Sequence, residues 1–138
     1  MAYETHKAQY CYVTTGNRAG AAAAVLESLK EGGVSLVGFL GFPTKRGKAQ
    51  LDLVAENLGP IRKIAKKQGW KLSKPKRCFT VQGEDAVGAV AQPLSVLAAK
   101  DVNVIAASAV VSGDGRFGMV LWVKRKDYAR AAKLLAAK

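Results

Sequence analysis

Apolar residues along this chain switch between a two-residue and a 3.6-residue period, and the switches mark out its elements. Residues 8–14 (Ala-Gln-Tyr-Cys-Tyr-Val-Thr) are aromatic and β-branched and predict a strand. Asn17 then offers a helix N-cap, and Arg18 to Glu31 carries an apolar stripe of Ala22, Val25, Leu26 and Leu29. Gly32-Gly33 ends that helix. Val34 to Phe42 is an apolar strand, and Pro43 to Lys48 is a turn. From Ala49 to Glu56 the residues alternate, with Leu51, Leu53 and Ala55 on one face. Pro60 opens a second helix whose inner face is Ile61, Ile64 and Ala65. Trp70 to Leu72 completes the series as a short fourth strand.

The same series then runs again. Residues 10–67 align without a gap on residues 78–135, a shift of 68. Val13 meets Val81, Gly20 meets Gly88, Leu29 meets Leu97 and Gly47 meets Gly115. The coincidences fall on glycines at turns and on apolar positions inside elements. In the second copy, Arg77 to Gln82 is a strand and Asp85 caps a helix from Ala86 to about Lys100. Val102 to Val111 and Phe117 to Lys124 are strands, and Asp127 caps a final helix. Pro93 falls within the third helix, where it must kink it or mark its first turn. After the last helix no chain remains for a fourth strand, so the N-terminal arm or a second subunit is expected at that edge.

Each copy therefore reads β-α-β-β-α-β. With right-handed crossovers this gives an antiparallel sheet with both helices on one face. The fold class expected is α+β, two ferredoxin-like repeats over residues 8–75 and 76–138, the second lacking a clear fourth strand. Modules of ~65 residues bury too little surface to stand well alone, so the repeats are expected to pair and the chain to form a homodimer.

Composition narrows the function. The chain has 138 residues and a net charge of +12. Eight cations and no acid fall in one stretch: Arg62, Lys63, Lys66, Lys67, Lys71, Lys74, Lys76 and Arg77. Such a run is a solvated helix face or a track for a polyanion. The two cysteines, Cys11 and Cys78, lie far apart in predicted strands and read as buried reduced thiols. The single histidine, His6, has no nucleophile and acid to form a catalytic set, and no metal-ligand spacing is present. No apolar run spans a membrane and no secretory signal is visible at the N-terminus, so a cytoplasmic protein that is not an enzyme, with no cofactor, is expected.

The strand-to-helix turns hold the candidate chemistry. Gly16-Asn17-Arg18-Ala19-Gly20 and Glu84-Asp85-Ala86-Val87-Gly88 each place a polar residue and a glycine ahead of a helix. Backbone N–H groups at a helix start, with the positive end of its dipole, suit a carboxylate or phosphate. These turns resemble the ACT-domain signature, in which Asp or Asn, a variable residue, Pro and Gly precede an apolar helix. Ala19 and Val87 stand where that signature has proline. Lys100-Asp101-Val102-Asn103-Val104, and less closely Gly33-Val34-Ser35-Leu36, resemble the family's helix exit into an apolar-Asn-apolar strand. The resemblance spans nearly the whole chain as two tandem copies. It implies a non-catalytic regulatory module that binds an amino acid or similar metabolite at an interface between repeats, and that signals to a protein partner. Carried over position by position, the contacts implied are Asn17, Arg18, Ala19, Gly20 and Ser35, with Asp85, Ala86, Val87, Gly88 and Asn103 in the second copy. Glu84 and Asp85 repel a carboxylate, so the Arg18 turn is the better carboxylate site. A second reading is a ferredoxin-like nucleic-acid-binding module. It would use the basic stretch 62–77 and the strand Gly115 to Trp122, whose Phe117 resembles a base-stacking aromatic.

Overall fold

The computed structural model describes residues 2–138. The strands are β1 (Tyr3–Gly16), β2 (Gly38–Pro43), β3 (Lys48–Ala55), β4 (Lys76–Glu84), β5 (Val104–Val111) and β6 (Arg116–Val123). The helices are α1 (Ala21–Glu31), α2 (Gly59–Gln68), α3 (Ala91–Ala98) and α4 (Tyr128–Leu134), the last preceded by a single 3-10 turn. The chain divides into two compact units. An inner unit, Gln9–Lys76, is inserted into an outer unit made of the residues up to Ala8 and Arg77–Lys138. Strand β1 contributes to both, its first part to the outer unit and the rest to the inner.

In the inner unit the strand order is β2-β3-β1, all antiparallel. The register sets Cys11 against Leu53 and Val13 against Leu51, so these residues share one face. Val25 and Leu29 of α1 and Ile61 of α2 cover that face and close the core. Helix α1 ends at Gly32, where α2 passes so close that a Cβ would collide with Ile64 Cδ1. Val34 N–H then turns back to Leu29 O at 2.9 Å and closes the helix end. The expected fourth strand is reduced to a single bridge between Val13 and Leu72.

The outer unit repeats the plan with the order β1-β4-β6-β5. Phe79, Leu97, Phe117, Leu121, Ala131 and Leu135 form its core. Tyr128 of α4 stacks on Phe79 with ring centroids 4.4 Å apart and donates its hydroxyl to Cys78 O at 3.0 Å. Arg77 lies over the outer face of the same ring, 4.2 Å from its centroid. The place beside β4 where a fourth strand was missing is held by the start of β1. Tyr3 and Ala2 come so close that a Cβ on Gly83 would meet Ala2 O at 2.7 Å. The chain end ties in as well: Lys138 N–H donates to Thr5 O and Lys7 N–H to Lys138 O, both at 2.9 Å.

Several expected boundaries move. Helix α1 begins at Ala21 rather than Arg18, and α3 spans Ala91–Ala98 rather than residues 86–100. Neither Asn17 nor Asp85 caps a helix; Gly20 and Val90 occupy the N-cap positions, with no side-chain cap bond. Asp127 does sit at the N-cap of α4, but its carboxylate faces Arg130 at 3.4 Å instead of capping. Pro93 is the third residue of α3, in the first turn where its missing N–H costs no helical bond. Strand β1 starts five residues earlier than expected and includes His6, which lies 3.5 Å from Glu4. Both cysteines are buried.

The Gly32 crossing yields a direct test. Gly32→Ala should destabilise the chain by ~1–3 kcal/mol through overpacking against Ile64. Adding Ile64→Val should recover part of that loss, as read by a double-mutant cycle in denaturant unfolding. Equal losses in the single and double variants would show that the close contact is not the cause.

Candidate functional site

The inner unit contains an open cleft of about 330 Å³ at the β1–α1 turn. Its rim is Thr15, Gly16, Asn17 and Arg18, and its back is Ala21 and Ala22 at the start of α1. Phe39, Gly41, Phe42 and Pro43 of β2 form the wall, with Leu51 of β3 at its foot. The turn is built by its backbone. Asn17 N–H donates to Gly47 O at 2.8 Å, which fastens the turn to the β2–β3 hairpin. Gly20 then takes a left-handed conformation, φ 86°, and Ala21 N–H reaches back to Arg18 O at 3.3 Å. That positive φ is what glycine supplies here; no atom crowds the missing Cβ.

Arg18 folds back over Gly16, with Nε 3.5 Å from where a Cβ would stand. Among the described residues it has no acidic partner. A cation without a counter-ion, the uncapped start of α1 and an apolar wall thus meet in one cleft. This arrangement suits a small carboxylate carrying an apolar group: the anion for Arg18 and the helix start, the apolar part for Phe39 and Leu51, which share one face of the sheet. No carboxylate lines the cleft, so an ammonium group would find only the neutral oxygens of Asn17 and Thr15.

Of the positions implied by sequence in this unit, Asn17 and Arg18 line the cleft, whereas Ala19 and Gly20 shape the turn without lining it. Ser35 is exposed in the segment before β2 and lies apart from the cleft. Phe39 and Phe42, 41% and 37% exposed, were missed. Their signal was present as two exposed aromatics on an edge strand, but only the β2–β3 register places them by the turn.

In the outer unit the equivalent turn keeps the same backbone plan. Asp85 N–H donates to Gly115 O at 2.9 Å, and Gly88 has φ 78°. Asp85, Ala86, Val87 and Gly88 are all exposed, and Asn103 is exposed just before β5. No cation stands in this turn. The base-stacking reading of β6 is overturned, because Phe117 is buried in the core beside Met119 and Leu121. The eight cations from Arg62 to Arg77 are all exposed, with Ile61 and Ala65 of α2 turned inward.

Titratable chemistry is sparse. Burial pushes the Cys11 thiol up, and Arg62 only partly offsets this. Burial also raises the Asp52 carboxyl, partly offset by the Gln50 amide, which donates to it at 2.9 Å. Asp52 pairs in register with Tyr12 and Leu40, on the face of β3 opposite Leu51 and Leu53. Among the described residues, no group of three His, Cys, Asp or Glu side chains could hold a metal. Among the described residues, no helix is long and apolar enough to cross a membrane.

Each unit is thus a ferredoxin-like α+β module. No protein-family model matches the chain, and no curated protein matches it by sequence. Solved structures do match its fold. Protein BT0572 from Bacteroides thetaiotaomicron is 15% identical with a TM-score of 0.79, over 96% of this chain and 88% of that one. The ligand-free regulatory subunit of aspartate kinase from Thermus thermophilus is 12% identical with a TM-score of 0.63, over 99% and 95%. The corresponding subunit from Thermus flavus is 12% identical with a TM-score of 0.59, over 98% and 94%. The chain therefore shares the fold of regulatory subunits along nearly their whole length.

Two tests follow from the site. Gly20→Ala should cost ~1–2 kcal/mol, because an L side chain is forced into a left-handed conformation. Gly118→Ala, in a strand with no atom near the missing Cβ, should instead stabilise by ~0.5–1 kcal/mol. Urea unfolding of both variants checks the pair, and loss of stability in both would contradict the backbone assignment. Asp52 gives a pH signature. Its carboxyl pKa is higher folded than unfolded, so its contribution is fully favourable below the ordinary carboxylate range. That contribution is lost as pH rises through the folded value. Asp52→Asn should melt higher than the wild type at neutral pH, with the gap closing as the medium is acidified. Parallel melting curves at every pH would rule this out.

Proposed function

We propose that this chain is a non-catalytic regulatory module of two ACT-like repeats that binds a small amino-acid-like ligand at the Arg18 turn. The observation that carries the proposal is the cleft: Arg18 without an acidic partner, an uncapped helix start and an apolar wall with Phe39 and Leu51 on one face, in a fold shared with aspartate kinase regulatory subunits. The preferred ligand is an amino acid with an apolar side chain, or a related carboxylate. The Asp85 turn, acidic and without a cation, is the weaker or empty counterpart.

The proposal includes a homodimer. Phe39 stands 41% exposed on an edge strand and at the same time walls the cleft, so a second copy set against β2 would roof the ligand. Ligand affinity that differs between the monomer and the dimer couples binding to assembly. With no catalytic machinery among the described residues, the readout of that change is a protein partner. Sequence alone left a nucleic-acid-binding reading open. The burial of Phe117 removes its stacking surface and leaves only the solvated cations of α2 and the following segment.

A thermal-shift screen against the twenty amino acids tests the proposal, with a short RNA as control. Ligand at 100 times its Kd should stabilise by about 2.7 kcal/mol. Arg18→Ala should abolish the shift while leaving the unliganded melting temperature within a degree or two, since Arg18 is exposed. No shift with any amino acid, together with a salt-sensitive shift from RNA, would overturn the regulatory reading.

A further inference from the structure

Helix α2 and the segment after it carry one sign of charge only. Residues 59–76 hold seven cations and no acid. Arg62, Lys63, Lys66 and Lys67 stand on the helix, and Lys71, Lys74 and Lys76 follow it. All are exposed and, among the described residues, none has an acidic partner. A solvated helix face ordinarily mixes signs at i, i+4 spacing. Here Arg62 neighbours Lys66 and Lys63 neighbours Lys67, so both pairs repel and destabilise the free helix. The first turn holds no acid, and only Lys66 and Lys67, in the last turn, gain from the helix dipole. The fold does not require such a face. The equivalent helix of the outer unit, α4, has two cations, Arg130 and Lys133, and Arg130 has Asp127 beside it at 3.4 Å.

The array is fixed in place by the inner unit. Ile61 and Ala65 are buried under α2, and Ile64 lies against Gly32 at the end of α1. Trp70 N–H donates to Ala65 O at 2.9 Å and turns the chain out of the helix. Tyr12 N–H donates to Ser73 Oγ, and Ser73 N–H to Tyr12 O, both at 2.9 Å. Trp70 and Leu72 pack on the inner core, while Lys71 between them is exposed. We propose that this face is a docking surface for an acidic segment of a protein partner. The proposal rests on the regulatory reading for one point, that the partner is a protein. Charge complementarity names the rest: carboxylates set on these cations turn a repelling array into a paired one and steer the approach. A nucleic acid fits the face less well. Six of the seven cations are lysines, without the planar fork that arginine sets on phosphates. No exposed aromatic accompanies them to stack on bases, since Trp70 is half-buried against the core.

The test is fluorescence anisotropy of a labelled deca-glutamate peptide titrated with the full chain at about 0.15 M salt. The peptide should bind saturably. Arg62→Glu combined with Lys63→Glu should weaken it about tenfold. The same double variant should melt higher than the wild type, because each substitution sets an acid four residues ahead of a lysine. Weaker binding by a more stable chain separates docking from folding. Lys124→Glu combined with Lys126→Glu is the control. It alters net charge equally at two exposed cations of the outer unit, and the affinity should stay within about twofold, because net charge alone is screened. Peptide binding and the amino-acid melting shift are read separately, so either reading can fall without the other. Absence of saturable binding, equal losses in the two double variants, or tighter binding of a deca-uridine RNA than of the peptide would each overturn the proposal, the last in favour of a nucleic acid.

Discussion

The structure depends first on how a strand reverses into a helix that must lie back across its own sheet. The reversal has room for only four residues, from Asn17 to Gly20, before α1 begins. It is made by a backbone bond from the turn to the hairpin glycine and by one residue in the left-handed region. The same bond and the same conformation recur 68 residues later, between Asp85 and Gly115 and at Gly88. The helix exits agree as well: Val34 to Leu29 and Val102 to Leu97 are equivalent bonds at 2.9 and 3.0 Å. What the duplication preserved is this backbone circuit, and the side chains set upon it were free to change. Even the left-handed residue at the helix exit differs, Gly33 in one copy and Asp101 in the other.

That freedom explains why two turns of one geometry differ in chemistry. A turn that spends its polar residue on a backbone bond leaves the helix start uncapped and available. In the inner unit Arg18 stands there with an aromatic edge strand beside it, and anion binding is favoured. In the outer unit Glu84 and Asp85 oppose it.

The elements themselves were legible because each has a clean period. Leu51, Leu53 and Ala55 alternate through β3, and Ile61 and Ala65 mark the inner face of α2. Helix starts were misplaced because Asn17 and Asp85 belong to residue types that usually cap through their side chains, whereas here the backbone N–H makes the contact. The early part of β1 was hidden by its charges. Tyr3 and Thr5 alternate with Glu4 and His6 as a half-buried strand should, yet the segment reads as a polar tail. Arg18 and Asn17 were found from the turn alone, being local in sequence. Phe39 and Phe42 were not, because their place beside the turn depends on two pairings at once, β2 with β3 and β3 with β1, as does the burial of Asp52 between Tyr12 and Leu40.

Charge and edge exposure together bear on assembly. A chain of net charge +12 repels its own copies unless they meet where charge is absent. The cations of residues 62–77 line α2 and the segment after it, and the edge strands carry none. Strand β2 is Gly-Phe-Leu-Gly-Phe-Pro, and β5 is Val-Ile-Ala-Ala-Ser-Ala-Val-Val, with Val110 73% exposed. Proteins usually guard an edge of this length with lysine, proline or a bulge. Here β5 has one irregularity at Ile105 and no charge, and β2 has only its terminal Pro43. Edges left this open in so basic a chain are where the proposed homodimer would form. The unguarded β2 edge borders the Arg18 cleft, so in the proposed dimer the residues that would receive a second copy would also complete the ligand's surroundings.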